Sequence, residues 1–170
     1  MLHVTLDVGP QAPFQALYVS LHLFAAAICA IRGSINRPER RTWWAFAAGM
    51  VLWAGGYAYY FLFLQSLESP PYPSPSDGLW IAFYVLAFGG LLALVRSERT
   101  ELPRSVWIDG LTAAVAVSAV AAALLLEPIR ASTGASVSTL ATNLAYPLAD
   151  VLILGLVLAV FALQGWRPGR

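Results

Sequence analysis

The chain has 170 residues, 59% of them hydrophobic and only 11% charged, with a mean hydropathy of +0.68. Soluble domains carry roughly 25% charged residues, so a water-soluble fold would have almost no surface to offer and is excluded. The net charge of +1 conceals a strong asymmetry: all 10 basic residues are Arg, and they cluster between the apolar runs. The lone cysteine, Cys29, sits in an apolar run. It rules out an intrachain disulfide and reads as a packing residue.

Residues 1–13 are short and mixed, with Asp7, Pro10 and Pro13. No basic stretch precedes the first apolar run, so no cleavable leader is expected and that run should remain in the membrane. It covers 14–31 and holds His22 and Cys29. A basic connector with Arg37, Arg40 and Arg41 follows. The second span, 42–65, opens with Trp43 and Trp44 and gathers Tyr57, Tyr59 and Tyr60 toward its far end, an aromatic-belt pattern. A Pro/Ser-rich turn with Pro70, Pro71, Pro73 and Pro75 cannot be helical.

The third span is 77–95 and ends in a second Arg-rich connector. The fourth, 106–126, is rich in Ala and Val; a small polar loop leads to the fifth, 140–163, and a basic tail closes the chain. Each run is about 18–25 residues, enough to cross roughly 30 Å of hydrocarbon. The runs are continuous rather than alternating, so strands of a barrel are excluded. The expected fold is all-α: one polytopic transmembrane helical bundle over residues 1–170 with five spans.

Arg placement sets the orientation. Arg32, Arg37, Arg40, Arg41, Arg96, Arg99, Arg104, Arg167 and Arg170 fall on one side of such a bundle, and only Arg130 on the other. The N-terminus is therefore expected outside and the C-terminus in the cytoplasm. Packing within lipid needs small residues. Stripes run through Ala45, Gly49 and Gly56, through Gly78, Ala82 and Gly89, through Gly110, Ala114, Ser118 and Ala122, and through Gly155, Ala159 and Ala162. They are expected to line helix contacts or, alternatively, a homodimer face.

The polar residues of the spans are the candidates for function. Asp77 opens the third span and reads as an N-terminal cap, or as a ligand contact from the outer face. Asp109 lies one turn into the fourth span, where it can snorkel or pair with Arg104. Asp150 lies about ten residues into the fifth span, roughly 15 Å deep. A carboxylate there costs about 2.5–3.5 kcal/mol on insertion scales and defaults to a functional reading. Pro147, three residues earlier, frees backbone carbonyls and is a candidate hinge. His22 lies at comparable depth, so a His22–Asp150 hydrogen bond is expected. Asn143 and Tyr146 complete the ligand or polar-network candidates. A short echo between Pro75-Ser-Asp-Gly-Leu-Trp-Ile and Pro147-Leu-Ala-Asp-Val-Leu-Ile suggests a duplicated unit.

Phosphate-binding, metalloprotease, nucleophile-elbow and paired-cysteine motifs do not occur in the sequence. No catalysis, metal or cofactor is expected. The Arg clusters follow from topology, so no nucleic-acid partner is expected either.

Three segments carry a family likeness: Trp43-Trp-Ala-Phe-Ala-Ala-Gly-Met through Pro75-Ser-Asp-Gly-Leu-Trp-Ile-Ala-Phe-Tyr, then Trp107-Ile-Asp-Gly-Leu, then Ala145-Tyr-Pro-Leu-Ala-Asp-Val-Leu-Ile-Leu. Together they resemble the N-terminal multi-span sensor region of actinobacterial cyclic-di-GMP signalling proteins. There the region precedes cytoplasmic GGDEF (diguanylate cyclase) and often EAL (phosphodiesterase) domains. The resemblance implies a sensing and anchoring role in the bacterial inner membrane, with the lipid bilayer and an output domain as partners. It also implies that these residues are a fragment or the N-terminal part of a longer signalling protein. A transporter-like or small-molecule-binding bundle using Asp150, and a purely structural membrane partner, are the alternative readings of the same residues.

Overall fold

The computed structural model describes residues 12–97 and 136–163, with isolated helical positions between 112 and 131. Four long helices lie within the described residues: α1 (Ala12–Ile35), α2 (Arg40–Tyr59, continued by a π turn over Tyr60–Leu64), α3 (Pro75–Ser97) and α4 (Val137–Leu163). Each contains a segment of 21 to 25 residues apolar enough to cross a membrane, about 32–38 Å at 1.5 Å per residue. These match the first, second, third and fifth expected spans, each starting two or three residues earlier. The fourth expected span, with its stripe from Gly110 to Ala122, and Asp109 lie outside the described residues apart from those isolated positions.

The helix order in space follows from what each residue touches. α1 packs on α2, α2 on α3, and α3 on α4. The α1–α2 pair is antiparallel: Gln15 meets Gln65 at one end, Tyr18 meets Tyr57, and Arg32 stacks 5.5 Å from the Trp43 ring centre at the other end. The connector between them is short. Trp43 Nε1 donates to Glu39 Oε2 at 2.8 Å, tying the start of α2 to the turn before it. α2 is the central helix of this set, and its buried residues are all small: Thr42, Ala47, Gly49, Ala54 and Gly56.

Small residues matter here because lipid gives helices no hydrophobic reason to associate; close van der Waals contact has to do so. Rings fill the notches that glycines leave. A Cβ on Gly56 would come within 2.7 Å of Trp80 Cδ1, and one on Gly49 within 3.1 Å of Phe83 Cδ2. In the other direction, a Cβ on Gly90 would reach 2.9 Å from Phe46 Cε1. The expected α2 stripe is therefore a true contact face. The expected α3 stripe finds no partner among the described residues: a Cβ at Gly78 or Gly89 would meet none of them within 4 Å, nor would one at Gly155 on α4. α3 instead presents Ser76, Trp80, Phe83, Ala87 and Gly90, whose spacing of three and four residues is one helix face. Large rings at two of those positions disguise the face to a search for small residues.

The outer face of α1 is apolar throughout. Phe14, Leu17, Leu21, Phe24, Ile28, Ile31 and Ile35 are all exposed, at alternating spacings of three and four. This is the face a bilayer would solvate.

Gly56→Val is expected to destabilise the chain by about 1–3 kcal/mol through overpacking against Trp80. Gly89→Ala should be neutral or mildly stabilising, since its Cβ would meet none of the described residues and favours helix. Thermal unfolding of the two variants in detergent measures the contrast.

Candidate functional site

α3 starts at a sequence-encoded stop and start. Ser74 precedes Pro75, the first helical residue, where a missing N–H costs nothing. Ser74-Pro-Ser-Asp77 then has the spacing of a capping box. Asp77 Oδ2 accepts from the Ser74 backbone N–H at 2.8 Å and from Ser74 Oγ at 2.7 Å. Asp77 is thus not the cap residue itself, as the sequence suggested, but the partner three positions in. Its other oxygen faces α4, where Tyr146 Oη donates to Oδ1 at 2.9 Å. The residue is only 5% exposed. A buried carboxylate with three donors is stable where a bare one would not be.

This clasp is the middle of a polar seam between α3 and α4. Toward the Pro/Ser-rich loop, Tyr72 Oη donates to Asn143 Oδ1, and Thr139 Oγ1 donates to the Tyr72 carbonyl at 3.4 Å. One to two turns deeper, Tyr84 Oη donates to Asp150 Oδ1 at 2.8 Å. The rings of Tyr84 and Tyr146 meet edge-to-face, centres 6.1 Å apart, and close the space between these bonds. Asn143, Tyr146 and Asp150 are three and four apart on α4; Asp77 and Tyr84 are seven apart on α3. Both sets are single helix faces. The partner numbers rise together on the two helices, so α3 and α4 run parallel.

The expected His22–Asp150 hydrogen bond does not form. His22 Nδ1 donates to the Tyr18 carbonyl at 2.7 Å within α1, and Asp150 takes its bond from Tyr84. The two residues do sit at one level. The rings of His22 and Trp53 are 6.4 Å apart and those of Trp53 and Tyr84 6.1 Å. Two helices, α2 and α3, stand between them. Asp150 is also not turned into the described bundle; it is exposed on α4.

Pro147 lies inside α4, which continues through it without a break. Its missing N–H leaves the Asn143 carbonyl without a helical donor, on the same residue whose side chain receives Tyr72. The echo between the segments at Pro75 and Pro147 is not a structural repeat. Pro75 opens a helix while Pro147 is internal, and the two aspartates sit at different depths in their helices.

Tyr72, Ser74 and Tyr84 belong to the seam but were not singled out from sequence. The Ser74-to-Asp77 spacing was a readable signal for the first turn. Tyr84 carried none, because a tyrosine in an aromatic-rich helix looks like packing. Comparison of the chain with protein-family models, with curated proteins and with solved structures finds no match.

A double-mutant cycle on Asp77→Asn and Tyr146→Phe should give a coupling energy of about 0.5–3 kcal/mol, the range for contacting residues. His22→Leu with Asp150→Asn should be additive within about 0.3–0.5 kcal/mol. Unfolding free energies in mixed micelles supply both numbers.

Tyr72, in the loop before α3, has its phenol pKa raised, first by burial and then by the negative charge of Asp77. A folded pKa above the unfolded value of about 10 means its contribution to stability is complete below that value. It is lost as the pH climbs through the folded pKa. The stability of the wild type above pH about 10 should therefore fall more steeply with pH than that of Tyr72→Phe, as alkaline unfolding measures.

Proposed function

We propose that this chain is a membrane-embedded sensory and anchoring module of the bacterial cell membrane. It crosses the bilayer five times, with its N-terminus outside and its C-terminal end in the cytoplasm. The observation that carries the reading is the polar seam between two parallel helices. Parallel α3 and α4 begin at the same bundle end, so the chain between them has to return through the thickness it has just crossed. That supports a crossing within 106–126 and, with the Arg-rich connectors on one side, supports the orientation.

A seam of hydrogen bonds is also the right kind of element for a sensor. In lipid its members have few alternative partners, so α4 has a small number of discrete positions against α3. A shift of α4 would move the segment that continues toward the cytoplasm. The resemblance to sensor regions of cyclic-di-GMP proteins supports a GGDEF or EAL output domain as the recipient.

Asp150 favours a second reading, a proton-coupled transport bundle. Its carboxylate is exposed on an apolar helix, with Tyr84 as its one hydrogen-bond partner among the described residues. Proton-coupled uptake into liposomes that Asp150→Asn abolishes would establish that reading over the first.

Reporter fusions after residues 37 and 99 should report one side of the membrane, and fusions after 68 and 134 the other. Opposite sides for 37 and 99 would sink the topology. Fused in frame to a diguanylate cyclase domain, the chain should alter cyclic-di-GMP output when Asp77→Asn or Tyr84→Phe breaks the seam. Unchanged output in both variants counts against sensing.

A further inference from the structure

At the Pro/Ser-rich end of the bundle, on the side of α2 away from the seam, α1 and α2 border a cavity of about 420 Å³. That is within the usual range of small-molecule sites, roughly 300–1,000 Å³. Its walls are Phe14, Tyr18, Tyr60 and Phe61, and its polar groups are Gln15 and Gln65. Among the described residues no charged side chain lines it.

The cavity lies where α2 changes register. The Gln65 N–H donates to the Tyr60 carbonyl at 2.9 Å, closing a turn one residue wider than an α-turn. Such π turns carry one extra residue and recur at functional sites. Here the turn ends on Gln65, whose Oε1 accepts from Gln15 Nε2 at 2.7 Å. That bond leaves most of the two amides' hydrogen-bonding capacity unused. Gln15 Oε1 remains as an acceptor and Gln65 Nε2 as a donor.

We propose that this cavity binds a small, uncharged amphiphile whose head both donates and accepts a hydrogen bond, as a primary amide or an un-ionised carboxylic acid does. The rings hold the apolar body, and the free ends of the two glutamines hold the head. With no cation or anion among the described lining residues, a charged head would be desolvated without a partner there. The open side, bounded by the exposed Phe14 and Tyr18, admits the ligand from the lipid. This inference does not rest on the sensor reading, and its test reads occupancy rather than signalling.

The test uses the full chain in phosphatidylcholine nanodiscs with a diazirine-bearing octanamide as photoprobe. Adducts should concentrate at Phe14, Tyr18 and residues 60–65, and plain octanamide should compete them away. Gln15→Leu with Gln65→Leu should lower labelling about tenfold, the effect of losing about 1.4 kcal/mol of binding. Phe61→Trp, which narrows the cavity and keeps both amides, should lower it as well and guards against a folding defect in the double variant. An octanoate-based photoprobe at neutral pH should label weakly. Labelling as strong at Phe24 and Ile31 as at Phe14 would mean partition into lipid and would overturn the proposal. Labelling that survives both the glutamine pair and Phe61→Trp overturns it too.

Discussion

The bond between Tyr146 and Asp77 decides how α4 lies on α3. A carboxylate in an apolar setting must be answered by donors or lose its charge, and Asp77 is answered from two directions. Ser74 supplies two bonds from the turn before its own helix, and Tyr146 supplies one from another helix. The first pair fixes where α3 begins. The third fixes the rotation of α4, because only one face of that helix can offer Tyr146. Once it does, Asn143 and Asp150 are carried to their positions opposite Tyr72 and Tyr84. Hydrogen bonds of this kind are worth only about 1–2 kcal/mol in membranes, yet they exclude neighbouring rotations of α4, each of which would strand a polar group.

On the other side of α3 the organising force is shape. α2 offers glycines and alanines, and α3 fills them with Trp80 and Phe83. The two interfaces of α3 therefore work by different physics. One is apolar and depends on close fit; the other is polar and depends on partner identity. A mutation that loosens the first lets helices separate, while a mutation in the second leaves them close but no longer tells them which way to turn.

Much of this was readable from the residues. Long continuous apolar runs, bounded by Arg and Pro, placed four of the described helices to within a few residues. Gly49 and Gly56 were recognised as contact positions because small residues at helical spacing have few other uses in a membrane. The seam was half visible: Asp77, Asn143, Tyr146 and Asp150 stood out as polar groups in greasy surroundings. Their pairing was not visible. Depth along a helix follows from sequence, so His22 and Asp150 were correctly levelled. Which helices are neighbours does not follow from depth, and α2 and α3 separate that pair. Similarly, Gly78 and Gly89 looked like a packing stripe, yet none of the described residues meets them, because one-dimensional spacing cannot tell which helix face a given neighbour takes. The π turn at Tyr60 was hidden altogether, since its sequence, Tyr-Phe-Leu-Phe-Leu, is ordinary helical composition.

Two helices lying side by side in the same direction set like electrical poles next to one another. Each backbone carries roughly half a positive charge at its start and half a negative charge at its finish, and a low-dielectric surrounding does little to mute the repulsion. An up-and-down neighbour would feel attraction instead. The α3–α4 pair therefore begins with an electrostatic handicap that the antiparallel α1–α2 and α2–α3 pairs do not share. The ladder of tyrosine, asparagine and aspartate side chains is what holds such a pair shoulder to shoulder. Without those groups, close packing alone would have to hold α4 against a helix whose direction it copies.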